Sequence, residues 1–329
     1  MKKIRNIKKY HRYQLQCAKR ELNKKTKVVG KKPQTEFNHI MCSNNFSIIN
    51  NSNETLKTFE TIISALKKRK KVFVNLSRVD NLTLETILYL NALWFYDDYS
   101  LLPKNSNNII KPIKKLLPKD KMLCKLIVNS GLFKNKPPEG SIFNIRRGFN
   151  TETSIIKEAI EFSLDQFDQK TSHQYKKIYE SIVEMMANTV EHAFMKNVKK
   201  ATKWHLMCWH EKEKGVIRFA FLDTGVSIPV SIFKKWYEKI GRNLISGDAK
   251  LIKSALDGTI QRTQTKKKYR GKGLPAIYKN SKNYFSNLKI ISNRGYIDCE
   301  NQKEYDLSIK FRGTLYCWDV FKMHKGGNK

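Results

Sequence analysis

The region around residues 175–195 is an apolar helical run that polar residues interrupt at regular steps. Glu184, Asn188 and His192 follow one another at intervals of four, which places them on one face of a helix, one turn apart. Their neighbours are mostly apolar and include Ile178, Ile182, Val183, Met185, Met186, Ala187 and Val190. Because burying a carboxylate and an amide without partners costs free energy, this pattern predicts a packed helix whose polar stripe faces a polar ligand.

Composition excludes several classes of protein. The chain has 329 residues, of which 40% are hydrophobic, so it can form two domains with real cores. No run of about 18 apolar residues occurs and no apolar segment follows the basic N-terminus, so we expect neither a transmembrane helix nor a secretory signal. The six cysteines are scattered without a CxxC pair, which favours reduced thiols in the cytoplasm over a zinc site or disulfides.

The net charge of +35 is concentrated in two clusters. Residues 1–35 hold many lysines and arginines against the single acid Glu21, and residues 262–272 hold six basic residues and no acid. Such an excess favours polyanions, such as nucleic acid or an acidic partner. The alternative is that lysine is simply abundant throughout, which accounts for diffuse charge but less well for the clusters.

The apolar pattern divides the chain into three regions. Residues 1–40 are basic, polar and without a strong period, so we expect an arm that is flexible or ordered by a partner. Residues 41–135 alternate between strand and helix patterns, which predicts a small layered α/β domain. A turn-rich linker follows, and residues 141–329 form the third region. In the second region, strand patterns lie at 46–49, 71–76 and 113–117, and helical patterns at 56–66, 82–96 and 122–128.

The third region has helices grouped before and between consecutive strands, which favours an α+β sandwich over a doubly wound sheet. Helices are predicted at 154–167, 175–195, 228–240 and 274–280, and strands at 203–210, 216–222, 288–292 and 311–320.

Four short motifs follow one another in this third region. The helical stripe is the first, and the second is an apolar strand that ends in Asp223 and continues through Gly225. The third is a glycine-rich turn at 270–274 before a helix, and the fourth is a strand with an early threonine, Thr314. No GxxxxGK[ST] loop occurs, so a P-loop ATPase is disfavoured.

The order and spacing of these motifs resemble those of the GHKL ATP-binding superfamily of gyrase, heat-shock chaperones, histidine kinases and mismatch-repair ATPases. The motifs are similar to its N box, G1 box, G2 box and final Gly-Thr strand, and the resemblance covers residues 140–320. The Glu-xxx-Asn-xxx-His form is closest to the anti-sigma-factor serine kinases and the hydrolytic members. The resemblance implies a Bergerat-type α/β sandwich with ATP and Mg²⁺ as its ligands.

The resemblance assigns roles to the helical stripe. Asn188 would offer its amide oxygen to Mg²⁺, which prefers oxygen ligands. Glu184, one turn earlier, would take a proton from an attacking water or hydroxyl as the catalytic residue. His192 is expected to pack near the helix end without a direct role.

On the base side, the resemblance implies that Asp223 accepts a hydrogen bond from the adenine amine. Gly225 would keep the turn open for the base, and Thr314 would support the network around Asp223. The sequence departs from the family at Ser227, which replaces the second glycine of the G1 box. Serine does not adopt positive φ cheaply, so this departure bears on the hinge of the lid more than on adenine recognition.

On the phosphate side, Gly271 and Gly273 would let backbone N–H groups approach the phosphates, at the start of a helix. Lys272 is placed to neutralise their charge. The stretch 231–270 would form the ATP lid.

The second region resembles a STAS-like domain more weakly, through a buried strand, a following helix and a later Ser-Gly-Leu-Phe sequence at 130–133. The best-known STAS-like proteins are phosphorylated on serine or threonine by GHKL anti-sigma kinases. Ser77 lies just after the strand at 71–76, although a serine at a strand end is also ordinary.

These features predict an ATP-binding protein that uses slow hydrolysis as a conformational switch and engages nucleic acid or an acidic partner through its basic surface. One alternative is a serine/threonine protein kinase of the anti-sigma type that acts on a STAS-like partner. Another is a non-enzymatic ATP-binding module, against which the retained Glu184 argues. A homodimer is compatible with either enzyme.

Overall fold

The computed structural model describes residues 37–68, 70–94, 113–132, 140–169, 172–192, 204–236, 247–260 and 273–322. For His192 and residues 233–236 it describes the backbone alone. The residues from Asn38 onward belong to one compact unit. Nearly all of the predicted arm, 1–40, lies outside the described residues, but its end corrects the prediction, because Asn38–Met41 pair in a sheet as strand β1.

The N-terminal part of this unit is built on parallel strands. The central strand β3 pairs with β1 on one side and β5 on the other, and two shorter strands, β2 and β4, form a separate parallel pair. The strands are β2 Asn45–Phe46, β3 Val72–Asn75, β4 Asn81–Leu82 and β5 Ile113–Leu116, and the helices are α1 Ser52–Lys67, α2 Leu84–Trp94 and α3 Lys121–Asn129. Within the described residues of 41–132, strands and helices follow one another largely in the predicted alternation, except that β4 comes directly after β3.

The C-terminal part is built on one antiparallel sheet with the strand order β6-β7-β8-β10-β9. The strands are β6 Ile142–Gly148, β7 Trp204–Glu211, β8 Val216–Asp223, β9 Ser286–Asp298 and β10 Lys303–Phe321. Four of them match the predicted strands, while β9 and β10 are longer than predicted. Strand β6 was not predicted, because Asn144, Arg146 and Arg147 interrupt its apolar alternation.

Five helices pack on one face of this sheet and share a core with it. They are α4 Thr153–Phe167, α5 His173–His192, α6 Ile228–Trp236, α7 Asp248–Leu256 and α8 Gly273–Asn283. Strand β8 contributes Phe219 and Phe221 to this core. The overall architecture is therefore mixed α and β, as predicted.

Helix α7 corrects the predicted lid at 231–270. Its Leu251 and Ile252 are buried in the core, so this part of the stretch belongs to the folded layer. The helix start is held from outside, because the N–H groups of Asp248 and Ala249 donate to the Asp306 carboxylate at 3.1 and 2.8 Å. The residues 237–246 and 261–270 of the predicted lid lie outside the described residues.

The second face of the sheet is covered by α1 and α2 from the N-terminal part. Ala220 and Leu222 of β8 face this layer and join one hydrophobic core with residues such as Ile87, Leu88 and Phe59. Residues from the predicted regions 41–135 and 141–329 therefore share a core, and the predicted boundary does not separate two independent ones.

Two sequence expectations concern the whole chain. Among the described residues, no helix is long and apolar enough to cross a membrane. The five cysteines within the described ranges form no disulfide with one another: Cys42, Cys124, Cys208, Cys299 and Cys317.

The buried side chain of His205 makes the stability of the fold depend on pH. Burial, together with the charge of Arg147, lowers the pKa of His205 from 6.5 to about 3. Among the described residues, neither ring nitrogen has a hydrogen-bond partner. The unfolded chain binds this proton near pH 6.5 and the folded chain does not, so the stability that His205 contributes is present above pH 6.5 and is lost toward pH 3. We expect a loss of about 1.4 kcal/mol per pH unit in that window.

Chemical unfolding of wild type and His205→Phe between pH 7 and pH 5 measures this slope. The variant should show a smaller slope than the wild type, whereas the exposed-site control His39→Gln should keep it. Equal slopes in wild type and His205→Phe would contradict the assignment.

Candidate functional site

The predicted polar stripe lies on α5, whose other faces are packed into the core. Ile182, Met185 and Met186 are fully buried around it, while Glu184 and Asn188 are half-buried on one face. Helix α8 packs against α5, since the Asn280 side chain donates to the Ser181 hydroxyl at 3.0 Å. The stripe therefore faces the region where α8 begins.

Gly273, the first residue of α8, lies directly against the stripe. A Cβ atom built on Gly273 would come within 2.5 Å of Glu184 Oε2 and 3.1 Å of Asn188 Nδ2. This close approach is possible because glycine has no side chain. The fold thus joins Glu184, Asn188 and Gly273, which we call the helix group.

The electrostatics of the helix group favour a bound polar partner. Burial, and secondarily the charge of Glu191, raise the pKa of Glu184. The amide nitrogen of Asn188 is buried and makes no hydrogen bond within the described residues. An amide left unpaired in a protein interior costs about 1–3 kcal/mol, and it is retained more readily where a ligand satisfies it.

A second cluster forms where β8 ends. Asp223 is the last residue of β8 and is buried, and its Oδ1 accepts the backbone N–H of Gly225 at 2.5 Å. In the sheet register Thr314 of β10 lies opposite Asp223. Asp223, Gly225 and Thr314 are therefore neighbours, as predicted, and we call them the strand group.

Gly313 and Ser292 complete the strand group, and neither was predicted. Gly313 has a φ of +91°, and a Cβ there would lie 1.9 Å from the Asp223 carbonyl oxygen. The buried Ser292 hydroxyl lies 2.8 Å from the Thr314 hydroxyl, donates to the Gly313 carbonyl at 3.2 Å and accepts the Ile228 N–H at 2.9 Å. Gly313 could have been predicted from the Gly-Thr pair at 313–314. Ser292 could not, because nothing in its strand pattern distinguishes it from other strand residues.

Ser227, which stands in place of the family's second glycine, fits its position without strain. It is not among the described residues with positive φ, so the expected conformational conflict does not arise. Its side chain is buried just before α6, and within the described ranges its hydroxyl has no hydrogen-bond partner.

The two groups are carried by elements that pack together. Helix α5, which holds the stripe, contacts both β8 and α8. Of the other predicted site residues, Gly271 and Lys272 lie outside the described residues. His192 ends α5, and its side chain is likewise not described.

The helix group could hold Mg²⁺ together with the oxygens of a bound phosphate. In the described part of the chain, no group of three or more His, Cys, Asp or Glu side chains could hold a metal ion by itself. Mg²⁺ needs no such cage, because it usually takes one or two protein ligands and completes its shell with phosphate oxygens and water. The side-chain oxygen of Asn188 would be the protein ligand in such a shell, whereas its nitrogen lies beside Gly273.

No protein-family model matches the chain, and no curated protein matches it. What the site does must therefore be inferred from its own residues.

Proposed function

We propose that the chain binds Mg-ATP and uses slow hydrolysis as a conformational switch. The contact of Gly273 with Glu184 and Asn188 supports this most strongly, because it joins two of the four sequence motifs. A carboxyl group with a raised pKa, an amide and a glycine at a helix start are suitable groups for a phosphate chain and the water that attacks it.

Each group would have one task. Asn188 would hold Mg²⁺, which supplies positive charge to the phosphate oxygens when bound. Glu184 would accept a proton from the attacking water, and its raised pKa makes it a stronger base than an exposed glutamate. Asp223 would accept the adenine amine, with Thr314 and Ser292 fixing the strand end beside it. The roles of Gly271 and Lys272 at the phosphates remain predictions.

We further propose that 141–329 is a GHKL-type sandwich and that 41–135 is a STAS-like module. The order of the motifs and the helices on one face of an antiparallel sheet support the first assignment. The parallel strands β1, β3 and β5 with their helices support the second. The basic segments 1–35 and 262–272 would engage nucleic acid or an acidic partner through charge.

A second candidate function is protein phosphorylation of the anti-sigma type. Glu184 would then take its proton from a serine or threonine hydroxyl of a STAS-like partner instead of from water. The Glu-xxx-Asn-xxx-His spacing favours this function as well as hydrolysis. A binding module without turnover is the third possibility, and it would leave the raised pKa of Glu184 without a use.

Asn188→Ala should remove the dependence of ATP affinity on magnesium. In the wild type we expect ATP to bind at least about tenfold more tightly with Mg²⁺ than with EDTA, and in the variant the two affinities should converge. Isothermal titration calorimetry of wild type, Asn188→Ala and the exposed-amide control Asn283→Ala measures this. Wild-type affinity for Mg-ATP in Asn188→Ala would show that the site assignment is wrong.

Gly273→Ala should reduce turnover without weakening the fold. The added methyl group meets the flexible end of Glu184, which can rotate away, and alanine is a better helix former than glycine by about 0.5–1 kcal/mol. We expect an unchanged or higher unfolding temperature and an ATP turnover at least about tenfold lower, since small misplacements of a catalytic group are costly. Lys279→Ala on the same helix is the control, and wild-type turnover in Gly273→Ala would contradict the proposed contact.

A further inference from the structure

A cavity lies at the opposite end of β8 from Asp223. Its volume is about 240 Å³, and it lies between the N-terminal layer and the strands β8, β9 and β10, partly open to solvent. Arg218 of β8 lines it, five residues before Asp223, which corresponds to about 17 Å along a strand. The polar and charged lining residues are Asn50, Thr83, Glu85, Lys214, Arg218, Asn287, Lys289 and Asp319.

Three cationic side chains reach this cavity from three different elements. Lys214 comes from the 3-10 turn before β8, Arg218 from β8 and Lys289 from β9. Two of the acids that balance them, Glu211 and Asp298, do not line the cavity. The cavity lining therefore carries three cationic and two acidic side chains, and Lys214 reaches it from the surface.

The lysines retain hydrogen-bonding capacity. An ammonium group has three N–H donors, and Lys214 uses one on Glu211 at 2.6 Å. Lys289 contacts Asp298 at 3.5 Å and the Asn287 side-chain oxygen. Both ammonium groups can therefore donate to a further acceptor.

The two acids that line the cavity, Asp319 and Glu85, should repel an anion less than exposed carboxylates would. Asp319 already accepts Arg218 Nε at 2.8 Å, Arg218 Nη2 at 3.2 Å and Asn287 Nδ2 at 2.8 Å. Glu85 is 3% exposed in the first turn of α2, and burial raises the pKa of its carboxyl group, against the opposing effects of Thr83 and Arg218.

From this geometry we propose that the cavity binds a small oxyanion of the phosphate class. The cavity exceeds the volume of several water molecules, at about 30 Å³ each, and lies below the range of about 300–1,000 Å³ typical of drug-sized ligands. Orthophosphate and pyrophosphate match this size and charge. The oxyanion would join Lys214 and Lys289 to the start of α2, and so fasten the N-terminal layer to the sheet.

The test measures binding of inorganic phosphate and of pyrophosphate to the full chain by isothermal titration calorimetry in chloride buffer without nucleotide. We expect saturable binding that weakens at least tenfold in Lys289→Gln and in Lys214→Gln. Lys303→Gln, an exposed site on β10, should leave the affinity unchanged. Lys214 is largely exposed, so its variant remains informative even if Lys289→Gln folds poorly.

Two further variants distinguish the cavity from the proposed ATP site and test the role of its buried acid. Asn188→Ala changes the proposed ATP site alone, so weaker anion binding confined to this variant would place the anion there and not in the cavity. Glu85→Gln removes a potential negative charge and should bind at least as tightly as wild type. The proposal is overturned if no saturable binding occurs at millimolar anion, if the lysine variants bind normally, or if only Asn188→Ala weakens binding.

Discussion

Replacing Glu184 by Gln should remove ATP turnover while the chain still binds the nucleotide. Gln has nearly the same shape but cannot accept a proton, and loss of a general base costs about 10²–10⁴-fold in rate. Steady-state turnover and equilibrium binding of ATP measure the two effects. Glu180→Gln, one turn earlier on α5, is the matched control, because its carboxylate pairs with Lys177 at 2.7 Å. A variant at Glu184 with wild-type turnover would exclude it as the base.

The same variant should be more stable than wild type at alkaline pH. Burial raises the pKa of Glu184 in the folded chain, so folding disfavours its ionised form. The stability contributed by this residue therefore falls as pH rises above its ordinary pKa of 4.5, and it stays low once both states are ionised. Glutamine is neutral throughout, so calorimetry should give a higher unfolding temperature for Glu184→Gln at pH 8 and no difference near pH 4. A lower unfolding temperature of Glu184→Gln than of wild type at pH 8 would show that the ionised carboxylate of Glu184 does not destabilise the fold.

Gly313→Ala should destabilise the fold strongly, whereas Gly273→Ala should not. The φ of +91° is unfavourable for alanine, and the new Cβ would lie 1.9 Å from the Asp223 carbonyl oxygen, a backbone atom of the neighbouring strand. Relief requires β8 and β10 to move apart, so we expect a loss of about 3–5 kcal/mol from strain and overpacking together.

Urea unfolding of Gly313→Ala and of Gly140→Ala measures the effect of the close contact. Gly140 also has a positive φ, of +66°, but a Cβ there meets nothing within 4 Å. The control should therefore lose only about 1–2 kcal/mol through backbone strain. Equal losses in both variants would mean that Gly313 and Asp223 are not in close contact.

Helix α5 and strand β8 could be predicted from sequence because each has a strong local period. Helix α7 could not, since it has only nine residues and its start is held by Asp306, which lies far away on β10. The contact between Gly273 and Glu184 is likewise tertiary. Motif order suggested that the two belong to one site, but no local pattern fixes the distance between them.

The core that β8 shares with the N-terminal layer was not predicted, although the sequence of β8 indicates it. Residues 219–222 are apolar without alternation, and a strand with one solvated face would alternate. Such a run indicates that both faces are covered. Phe219 and Phe221 indeed face the five helices, while Ala220 and Leu222 face the N-terminal layer.

The position of β8 in the sheet also affects how readily thermal fluctuations expose the backbone next to Asp223. The strand lies between β7 and β10 and is covered on both faces, so its amide groups reach solvent only if two strand pairings and two packed layers are disrupted. Sub-global openings start where such constraints are few. We therefore expect β8 to be among the last parts of the unit to open, so that Asp223 keeps its position during local unfolding elsewhere.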